Sequence, residues 1–491
     1  MEFEAVIGLE VHAELETESK MFCSCPVVDS TVAEPNSAVC PVCTGMPGVL
    51  PVVNIRAVEY ALRVALALEC EIAPISIFAR KNYFYPDLPK GYQISQYDQP
   101  LARHGHLTIL TSTHERLIRI RRVHLEEDTG KLTHINNIEE TYSLVDLNRS
   151  GVPLLEIVSE PDLHTADEVR SYATGLRSIL RYLGVNSGDM QKGVMRVEPN
   201  ISVRPVGSSE LGTRVEIKNL NSFRSLERSV EYEIKRQSEQ LRDGQPVIQE
   251  TVGWDEGQGV SFPQRVKETE DDYRYFSEPD LPPLVVEADW IEQIRAELPE
   301  LPAEKVHRFC QQYQLNEYDA GVLVAESTVA DYFEDAVKAA DADSESEVNP
   351  KLVSNWLTGE FFGLLNQKGM SIEQARVSPE ALARLIQMVA KSSITQNTAK
   401  NVLHDMFDSG KSPNEIVAEK NLQQISDSGH IAEIVKQVLV ENPHQVVEYM
   451  DGKDTIAKWL FGQVMRAAKG QANPQVVQAE LDHQLDELRE A

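Results

Sequence analysis

The start of the chain alternates between apolar and polar side chains, which is the pattern of a β-strand with one buried face. The apolar set is Ile7, Leu9, Val11, Ala13 and Leu15, and the polar set between them is Glu10, His12 and Glu14. Because successive side chains of a strand point to opposite faces, the two carboxylates and the imidazole share the face opposite the apolar one. Such a surface is costly if it serves only the fold, so it marks a candidate site.

Up to about residue 287, strand-like segments alternate with turn clusters and amphipathic helices. Helical spacing of apolar residues predicts helices over residues 55–69, 165–184 and 222–242. The second of these opens on Thr165 with Glu168 three residues later, a capping-box sequence, and closes on Gly184. This part of the chain therefore reads as a mixed α/β body.

A change of pattern follows Pro279, Pro282 and Pro283, and from about residue 288 the chain carries almost no β pattern. Helices are predicted over residues 302–313, 320–340, 351–365, 379–390, 396–407, 414–419, 431–441, 453–469 and 474–489. We predict an α+β protein with three domains: a mixed α/β body at residues 1–287, an all-helical linker domain at 288–409 and a small all-helical tail domain at 410–491.

Composition is that of a soluble globular protein, with 42% hydrophobic and 25% charged residues. No apolar run is long enough to span a membrane, and the first residues lack the features of a signal peptide, so we expect a cytosolic protein without a membrane partner.

Charge argues against nucleic-acid binding over a broad surface, because the formal net charge is -30. A local patch remains possible at Arg116–Arg122, or at Lys453, Lys458, Arg466 and Lys469, although simple charge balance explains both equally well. Residues 411–491 hold 8 Lys/Arg against 13 Asp/Glu, so nucleic-acid binding by the tail would have to use that basic segment.

Four of the six cysteines form two short pairs, Cys23-Ser-Cys25 and Cys40-Pro-Val-Cys43. This spacing favours a tetrahedral zinc site over four free thiols. Such a zinc would be structural, because four thiolates leave no open coordination position. Cys70 and Cys310 are isolated and are predicted to be small core residues.

A second acidic signature, His124-Leu-Glu-Glu-Asp-Thr-Gly-Lys131, supplies Glu126 and Glu127. With Glu10 and His12 it could complete a Mg²⁺ site, since Mg²⁺ prefers carboxylate oxygens and water. The alternative is an ordinary solvated charge run.

Three loops combine cations with aromatics or precede a helix N-terminus: residues 80–87, 216–222 and 272–276. Arg and Lys bind phosphate, aromatics stack on bases and helix N-termini favour anions, although packing with surface salt bridges would give the same composition. The sequence contains no Walker loop, no kinase glycine loop and no G-x-S-x-G elbow. Together with a metal-carboxylate site, these loops favour phosphoryl transfer on another architecture.

Over nearly its whole length the chain resembles the B subunits of aspartyl/glutamyl-tRNA(Asn/Gln) amidotransferase. The matching motifs are Ile7-Gly-Leu-Glu-Val-His12, Lys81-Asn-Tyr-Phe-Tyr-Pro86, Tyr92-Gln-Ile-Ser-Gln96, His124-Leu-Glu-Glu-Asp-Thr-Gly-Lys131, Leu144-Val-Asp-Leu-Asn-Arg149, Glu156-Ile-Val-Ser-Glu-Pro161, Glu216-Ile-Lys-Asn-Leu-Asn-Ser222, Asp272-Tyr-Arg-Tyr-Phe276, Gly462-Gln-Val-Met465 and Gly470-Gln-Ala-Asn-Pro474.

The resemblance implies a cradle-type catalytic body that binds ATP and Mg²⁺, and helical and tail domains that bind tRNA. It implies a heterotrimer in which this chain has two partners, an amidase-type glutaminase and a small subunit. In that complex the side-chain carboxylate of Glu-tRNA(Gln) or Asp-tRNA(Asn) is phosphorylated and then amidated by ammonia released from glutamine.

The resemblance also assigns residues. Glu10, His12, Glu126 and Glu127 are implied as catalytic metal ligands, with Glu198 as a further carboxylate where many members carry Asp in a different context. His12 could instead orient a metal-bound water, and Glu14 is left out because the motif needs only Glu10 and His12. Candidate phosphate contacts are Lys81, Lys218 and Arg274.

A non-catalytic, zinc-stapled tRNA-binding scaffold is the alternative function. It predicts tRNA binding without tRNA-dependent phosphate release from ATP. The pairing of the two acidic signatures favours the enzyme, because a scaffold would not need it.

Overall fold

The computed structural model describes residues 2–111, 113–136, 141–266, 273–342, 348–423, 428–450, 452–453, 455–468 and 472–490. These separate into two compact units, Met1–Pro302 and Ala303–Ala491. Among them, no helix combines the length and the apolar composition needed to cross a bilayer.

The first unit holds the β-structure of the described chain. Its strands are β1 Phe3–Glu14, β2 Glu71–Ile72, β3 Ile75–Ser76, β4 Ala79–Asn82, β5 Tyr92–Ser95, β6 Ala102–Leu110, β7 Glu115–Glu127, β8 Lys131–Asn136, β9 Thr141–Asp146, β10 Pro153–Ser159, β11 Met195–Pro205, β12 Val215–Lys218, β13 Glu250–Asp255, β14 Val260–Val266, β15 Phe276–Ser277 and β16 Leu284–Val285. Its helices are α1 Ile55–Ala67, α2 Ala166–Tyr182, α3 Phe223–Arg242 and α4 Ala288–Ala296.

The main sheet has nine strands in the order β14-β13-β12-β11-β1-β10-β7-β6-β2. Its neighbours are antiparallel except for the parallel pair β12 and β13. The predicted first strand is therefore central, paired with β11 from Phe3 to Ala13 and with β10 from Glu10 to Glu14. Smaller sheets join β15, β4 and β5, β3 with β16, and β8 with β9.

One face of the main sheet is covered by helices and forms the core. Ile7, Leu9 and Val11 are at most 1% exposed and pack in one cluster with the buried faces of α1, α2 and α3. The predicted alternation is confirmed, because Glu10 and His12 lie on the other face, which carries no helix from this cluster. Burying one face and leaving the other polar is the α+β arrangement that an antiparallel sheet permits.

The three helices predicted for the body are confirmed. At α2, the Thr165 hydroxyl accepts from the Glu168 backbone N–H while the Glu168 carboxylate accepts from the Thr165 N–H, a complete capping box. Gly184 follows the helix in the left-handed region at φ +63°, where an L side chain would be strained. Helix α4 was not predicted, and its Ile294 packs into the body core beyond residue 287.

The second unit is helical throughout its described residues. Its helices are α5 Pro302–Tyr313, α6 Glu317–Val324, α7 Ser327–Asp341, α8 Pro350–Trp356, α9 Phe362–Lys368, α10 Pro379–Ala390, α11 Gln396–Ser409, α12 Pro413–Glu419, α13 Ser428–Glu441, α14 Pro443–Met450, α15 Thr455–Ala467 and α16 Pro474–Glu490. The α+β fold class with a helical C-terminal region is confirmed.

Two predicted helices are divided in the structure, and one further helix was not predicted. Residues 320–340 form α6 and α7, residues 351–365 contain a π-helical turn at Leu357–Phe361, and the segment before α15 holds the additional helix α14. Buried residues lie at helical spacing on both sides of the division between α6 and α7, so the spacing predicts helix there without showing where one helix ends and the next begins. Helices α13 to α16 share their own core, which includes Leu460, Val464 and Leu481. The three-domain division stays a prediction.

Candidate functional site

A cleft of about 820 Å³ opens beside the polar face of the main sheet. Strands β1, β10, β11 and β12 contribute carboxylates and His12 to its lining, while β4 and the segment 273–275 contribute cations and tyrosines. Acidic groups able to hold a cation and basic groups able to hold an anion therefore line one space.

The first acidic cluster is formed by His12, Glu126 and Glu156. Strand register creates it, because Glu156 of β10 lies opposite both His12 of β1 and His124 of β7. The His12 Nε2 atom is 3.7 Å from Glu126 Oε1 and 3.7 Å from Glu156 Oε2, too far for a hydrogen bond in either direction. The three ligand atoms all lie within 4.8 Å of one another.

The pKa values of the two carboxylates in this cluster are shifted in opposite directions. Burial and the negative charge of Glu156 raise the pKa of Glu126 to about 8. Burial also opposes ionisation of Glu156, but the adjacent His124 outweighs it and holds the pKa of Glu156 well below its usual range. His124 is itself buried, which lowers its pKa, and its Nε2 lies 3.0 Å from Glu156 Oε2. His124 and Glu156 are therefore paired through a hydrogen bond from the ring to the carboxylate.

The second acidic cluster is formed by Glu10, Glu198 and Glu216 from β1, β11 and β12. Lys218 Nζ lies 2.6 Å from Glu198 Oε2 and 3.4 Å from Glu216 Oε1. Burial would lower the pKa of Lys218, but these two carboxylates outweigh it and raise the pKa, so the ammonium stays charged. The Asn200 amide donates to Glu10 Oε1 at 3.0 Å.

Both clusters fit a divalent cation. Two oxygens about 2.1 Å from one Mg²⁺ are about 3 Å apart when adjacent and about 4.2 Å apart when opposite. The 3.7 Å separations around His12 lie between these two values, so binding of Mg²⁺ would shift these side chains by roughly half an ångström. The second cluster consists of carboxylates alone, which suits a hard cation. The Lys218 ammonium already offsets part of its negative charge.

The structure brings together Glu10, His12, Glu126 and Glu198 of the predicted ligands, but it places Glu127 elsewhere. Glu127 follows Glu126 on β7 and points to the opposite face, where it accepts from Lys90 and from the Ile94 backbone N–H. A run of adjacent acids on a strand cannot place all its side chains in one site, and the sequence does not show which face is the cleft.

Glu156 and Glu216, which complete the two clusters, were not predicted as metal ligands. Glu156 stands alone among apolar residues in Pro153-Leu-Leu-Glu-Ile-Val-Ser159, and the structure buries it to 7% exposure. A single carboxylate inside a buried strand is the signal that could have identified it, because burying a charge is costly unless it is paired.

Glu14 lies outside both clusters, as the sequence analysis expected. It lies beside Asp128, and burial together with the Asp128 charge raises the pKa of Glu14 to about 8. Arg196 and Arg149 lie near the pair, and Arg196 Nη2 is 2.9 Å from Asp128 Oδ2.

All three predicted phosphate contacts line the cleft. Burial would lower the pKa of Lys81, but the surrounding Tyr275, Glu126 and Glu156 outweigh it and raise the pKa, so this lysine stays cationic. Its Nζ is 4.9 Å from the Tyr273 ring centroid. A second aromatic contact, Tyr97 stacked on Tyr275 at 4.1 Å, lies in the same lining.

Arg274 is held in an unusual backbone conformation. Its φ is +45°, in the left-handed region that a non-glycine residue rarely adopts, and its carbonyl accepts from the Asn82 amide at 2.8 Å. Among the described residues its guanidinium has no hydrogen-bond or ion-pair partner, which leaves it available to an anion. Asp272 of the same motif lies outside the described residues.

The four cysteines form a compact corner of the first unit. Their sulfurs lie within 4.8 Å of one another, and Cys40 and Cys43 are 3.9 Å apart. Four sulfurs 2.3 Å from one tetrahedral Zn²⁺ are about 3.8 Å apart, so the corner fits zinc. The Cys40 backbone N–H donates to Cys43 Sγ at 3.1 Å, and the Cys43 pKa is lowered to about 4, chiefly by a hydrogen bond from Cys23.

The basic segment of β7 is largely neutralised. Arg116 pairs with Glu168, Arg119 with Asp162 and Arg121 with Glu160. In the tail, Lys458 and Arg466 are exposed on α15. Lys453 pairs with Glu448, while Lys469 and Asp454 lie outside the described residues.

Comparison with known proteins shows similarity along most of the chain. The GatB/GatE catalytic domain matches residues 5–292, and the GatB domain matches residues 331–485. Three similar proteins all carry the name of the B subunits of aspartyl/glutamyl-tRNA(Asn/Gln) amidotransferase. The one from Caldicellulosiruptor saccharolyticus is 51% identical over 491 residues, covering 99% of this chain and 100% of its own. That of Thermoanaerobacter pseudethanolicus is 51% identical over 485 residues, with the same two coverages. That of Thermodesulfovibrio yellowstonii is 50% identical over 477 residues, covering 97% and 98%.

Proposed function

We infer the function of this chain from the family to which it belongs, the B subunits of aspartyl/glutamyl-tRNA(Asn/Gln) amidotransferase. The enzyme is an ATP-dependent ligase that takes its amido group from glutamine. It converts misacylated Glu-tRNA(Gln) and Asp-tRNA(Asn) to Gln-tRNA(Gln) and Asn-tRNA(Asn). The chain is therefore one of several proteins in a complex that acts on tRNA.

The proposal is that carboxylate activation and amidation take place in the cleft over the sheet. One observation carries it: the same 820 Å³ space is lined by acidic groups from both clusters and by Lys81, Lys218 and Arg274. Phosphoryl transfer needs charge neutralisation and alignment more than a protein nucleophile, and this lining supplies both.

The reaction explains why ATP is required. A free side-chain carboxylate is a poor acylating agent, because it has no good leaving group. A carboxylate oxygen of the tRNA-borne residue attacks the γ-phosphorus, and the bond to ADP breaks. Ammonia then attacks the carbonyl carbon, phosphate leaves with the bonding electron pair, and the nitrogen loses a proton to give the neutral amide.

Residue roles follow from the two kinds of lining. Mg²⁺ bound by the His12 cluster and by the Glu10 cluster would neutralise and orient the transferred phosphate. Lys81 and Arg274 would bind phosphate oxygens directly. Lys218 would offset negative charge on the transferred phosphate, and it also holds Glu198 in place.

Glu127 is excluded from the cation-binding set, because it faces away from the cleft and pairs with Lys90. We propose that Glu127 instead stabilises the fold around Lys90.

The remaining components of the proposal lie outside the cleft. The partners would be an amidase-type glutaminase that releases ammonia and a third, small protein, in a cytoplasmic heterotrimer. The overall charge of the tail is negative, so only a local basic surface could bind tRNA there. The exposed Lys458 and Arg466 would form that surface. The cysteine corner would hold a structural Zn²⁺.

The test is Glu156→Gln in the reconstituted complex supplied with Glu-tRNA(Gln), ATP, Mg²⁺ and ammonium in place of glutamine. Glu160→Gln is the matched control, since that carboxylate lies on the same segment but pairs with Arg121 at 29% side-chain exposure. We expect Glu156→Gln to abolish tRNA-dependent phosphate release and amide formation, and the control to retain both. Full amidation by Glu156→Gln would refute the site, and tRNA binding without phosphate release in the wild type would favour the scaffold alternative.

A further inference from the structure

Lys20 is a fully buried lysine, at 0% exposure, outside the cleft. An ammonium in the protein interior is stabilised only by acceptors and negative charge close to it. Among the described residues, no carboxylate lies within ion-pair distance of it. Something other than a carboxylate must therefore compensate its charge.

The two partners of the Lys20 ammonium show which groups compensate its charge. Lys20 Nζ lies 3.7 Å from Cys43 Sγ and donates to the Leu147 carbonyl at 3.2 Å. The Lys20 backbone N–H also donates to the Cys25 carbonyl at 3.0 Å. The residue thus contacts both cysteine pairs of the corner.

We propose that Lys20 is the charge-compensating partner of a metal held by Cys23, Cys25, Cys40 and Cys43, and that it ties this centre to the segment 147–152. The inference rests on the proposed zinc centre. Zn²⁺ with four thiolates carries a net charge of about -2, which is unfavourable in a buried corner. One ammonium against a thiolate reduces that charge and supplies a hydrogen bond to the sulfur.

The segment 147–152 connects this centre to the end of β7. The Ser150 hydroxyl donates to the Cys43 carbonyl at 3.1 Å, and the Gly151 carbonyl accepts from Met21 N at 2.7 Å. The Gly151 N–H in turn donates to the Asp128 carbonyl at 2.9 Å, at the end of the strand that carries Glu126.

Gly151 packs against the cysteine corner in a backbone conformation that L side chains rarely adopt. Gly151 has φ +85°, and a Cβ there would lie 3.5 Å from Cys43 Cβ and 3.6 Å from Lys20 Cδ. The cysteine corner therefore positions the end of β7, with Lys20 at the junction.

The experiment measures zinc affinity of the chain in its complex, by competition with the chromophoric chelator 4-(2-pyridylazo)resorcinol. Lys20→Met keeps the length of the side chain and removes its charge, and we expect it to lower the affinity roughly 10- to 100-fold, as loss of a ligand's hydrogen-bond partner does. Lys20→Arg should lose less than Lys20→Met. The control is Lys192→Met, since Lys192 pairs with Asp29 at the surface and contacts none of the four cysteines.

The outcomes separate the two proposals. Wild-type protein without zinc would overturn the zinc centre and the role of Lys20 with it. Zinc in the wild type with unchanged affinity in Lys20→Met would overturn the role of Lys20 alone. If Lys20→Met does not fold, Co²⁺ is substituted in Lys20→Arg and Lys192→Arg. A sulfur-to-cobalt charge-transfer band that moves only in Lys20→Arg supports the proposal, and a band unmoved in both overturns it.

Discussion

Replacing Glu126 and Glu127 one at a time by glutamine tests the site most directly, because the two are adjacent in sequence and face opposite ways. Glutamine keeps the shape of the side chain and can still accept a hydrogen bond, such as that from Ser95 to Glu126 at 3.3 Å. What is lost is the negative charge that the carboxyl would carry beside a bound cation. Any difference between the variants therefore reports which carboxylate faces the bound cation.

The magnitude follows from the dimensions of the His12 cluster. Its ligand atoms lie within 4.8 Å of one another, so a cation among them is no farther than that from the Glu126 carboxylate. At an effective dielectric constant of 20, Coulomb's law gives about 7 kcal/mol for a divalent ion at this distance. Desolvation and the rearrangement of neighbours offset part of this, but half of it still weakens binding about 300-fold.

Glu127 should behave differently, since its charge is balanced by Lys90 on the other face. For Glu127→Gln we expect less than about a threefold change in cation affinity.

The assay uses Mn²⁺ as the probe, with free ion measured by electron paramagnetic resonance, on the complex with each variant. One class of sites should weaken in Glu126→Gln, while sites at the Glu10 cluster remain. Phosphate release dependent on tRNA should fall in parallel. Thermal unfolding of both variants provides the control for folding, because Glu127→Gln leaves the half-buried Lys90 without its partner.

Two results would refute the reasoning. Unchanged Mn²⁺ binding in Glu126→Gln would show that the cluster around His12 does not hold a cation. Equal losses in both folded variants would show that the strand alternation does not decide which acid matters.

Three further predictions rest on separate features of the chain. Lys81→Met should raise the KM for ATP at least tenfold with a smaller change in overall stability, because the cleft loses a cation near Glu126 and Glu156 that would bind phosphate. Steady-state kinetics would show the higher KM, and an unchanged KM would contradict the assignment. Lys458→Glu combined with Arg466→Glu should weaken tRNA binding and flatten its salt dependence in filter-binding titrations, whereas unchanged binding would place the contact elsewhere. Glu168→Gln should lower the thermal midpoint at neutral pH. Burial opposes the charge of Glu168, but hydrogen bonds from the His164 N–H and His114 and the Arg116 charge outweigh it and lower its pKa. The wild type should therefore lose its higher thermal midpoint as the pH falls below 4.5, the ordinary pKa of a glutamate. A difference in midpoint that increased in acid would contradict this prediction.

Much of the fold was predictable because it depends on local signals. The helix beginning at Thr165 carries its own capping box, and the strand around Glu10 carries its own alternation. Both features act over a few residues, and tertiary packing did not override them. Helix breaks such as that between α6 and α7 were missed, because buried residues lie at helical spacing on both sides of the break.

The candidate site was predictable only in part. The two acidic signatures identified Glu10, His12 and Glu126, and the phosphate-type loops identified Lys81 and Arg274. Glu156 was missed because one carboxylate in an apolar strand has no partner nearby in the sequence. Its partners His12 and His124 come from two other strands.

By itself, the sequence determined which residue types face together along each strand, since side-chain alternation is a property of the local backbone. It also determined the family, through motifs spread over the whole chain. Tertiary structure alone decided which acids meet. Register between β1, β10, β7, β11 and β12 sets that, and a shift of one residue would send every side chain of a strand to the other face. The same pairing separates Glu126, which meets His12 and Glu156, from Glu127, which lies one residue away and pairs with Lys90.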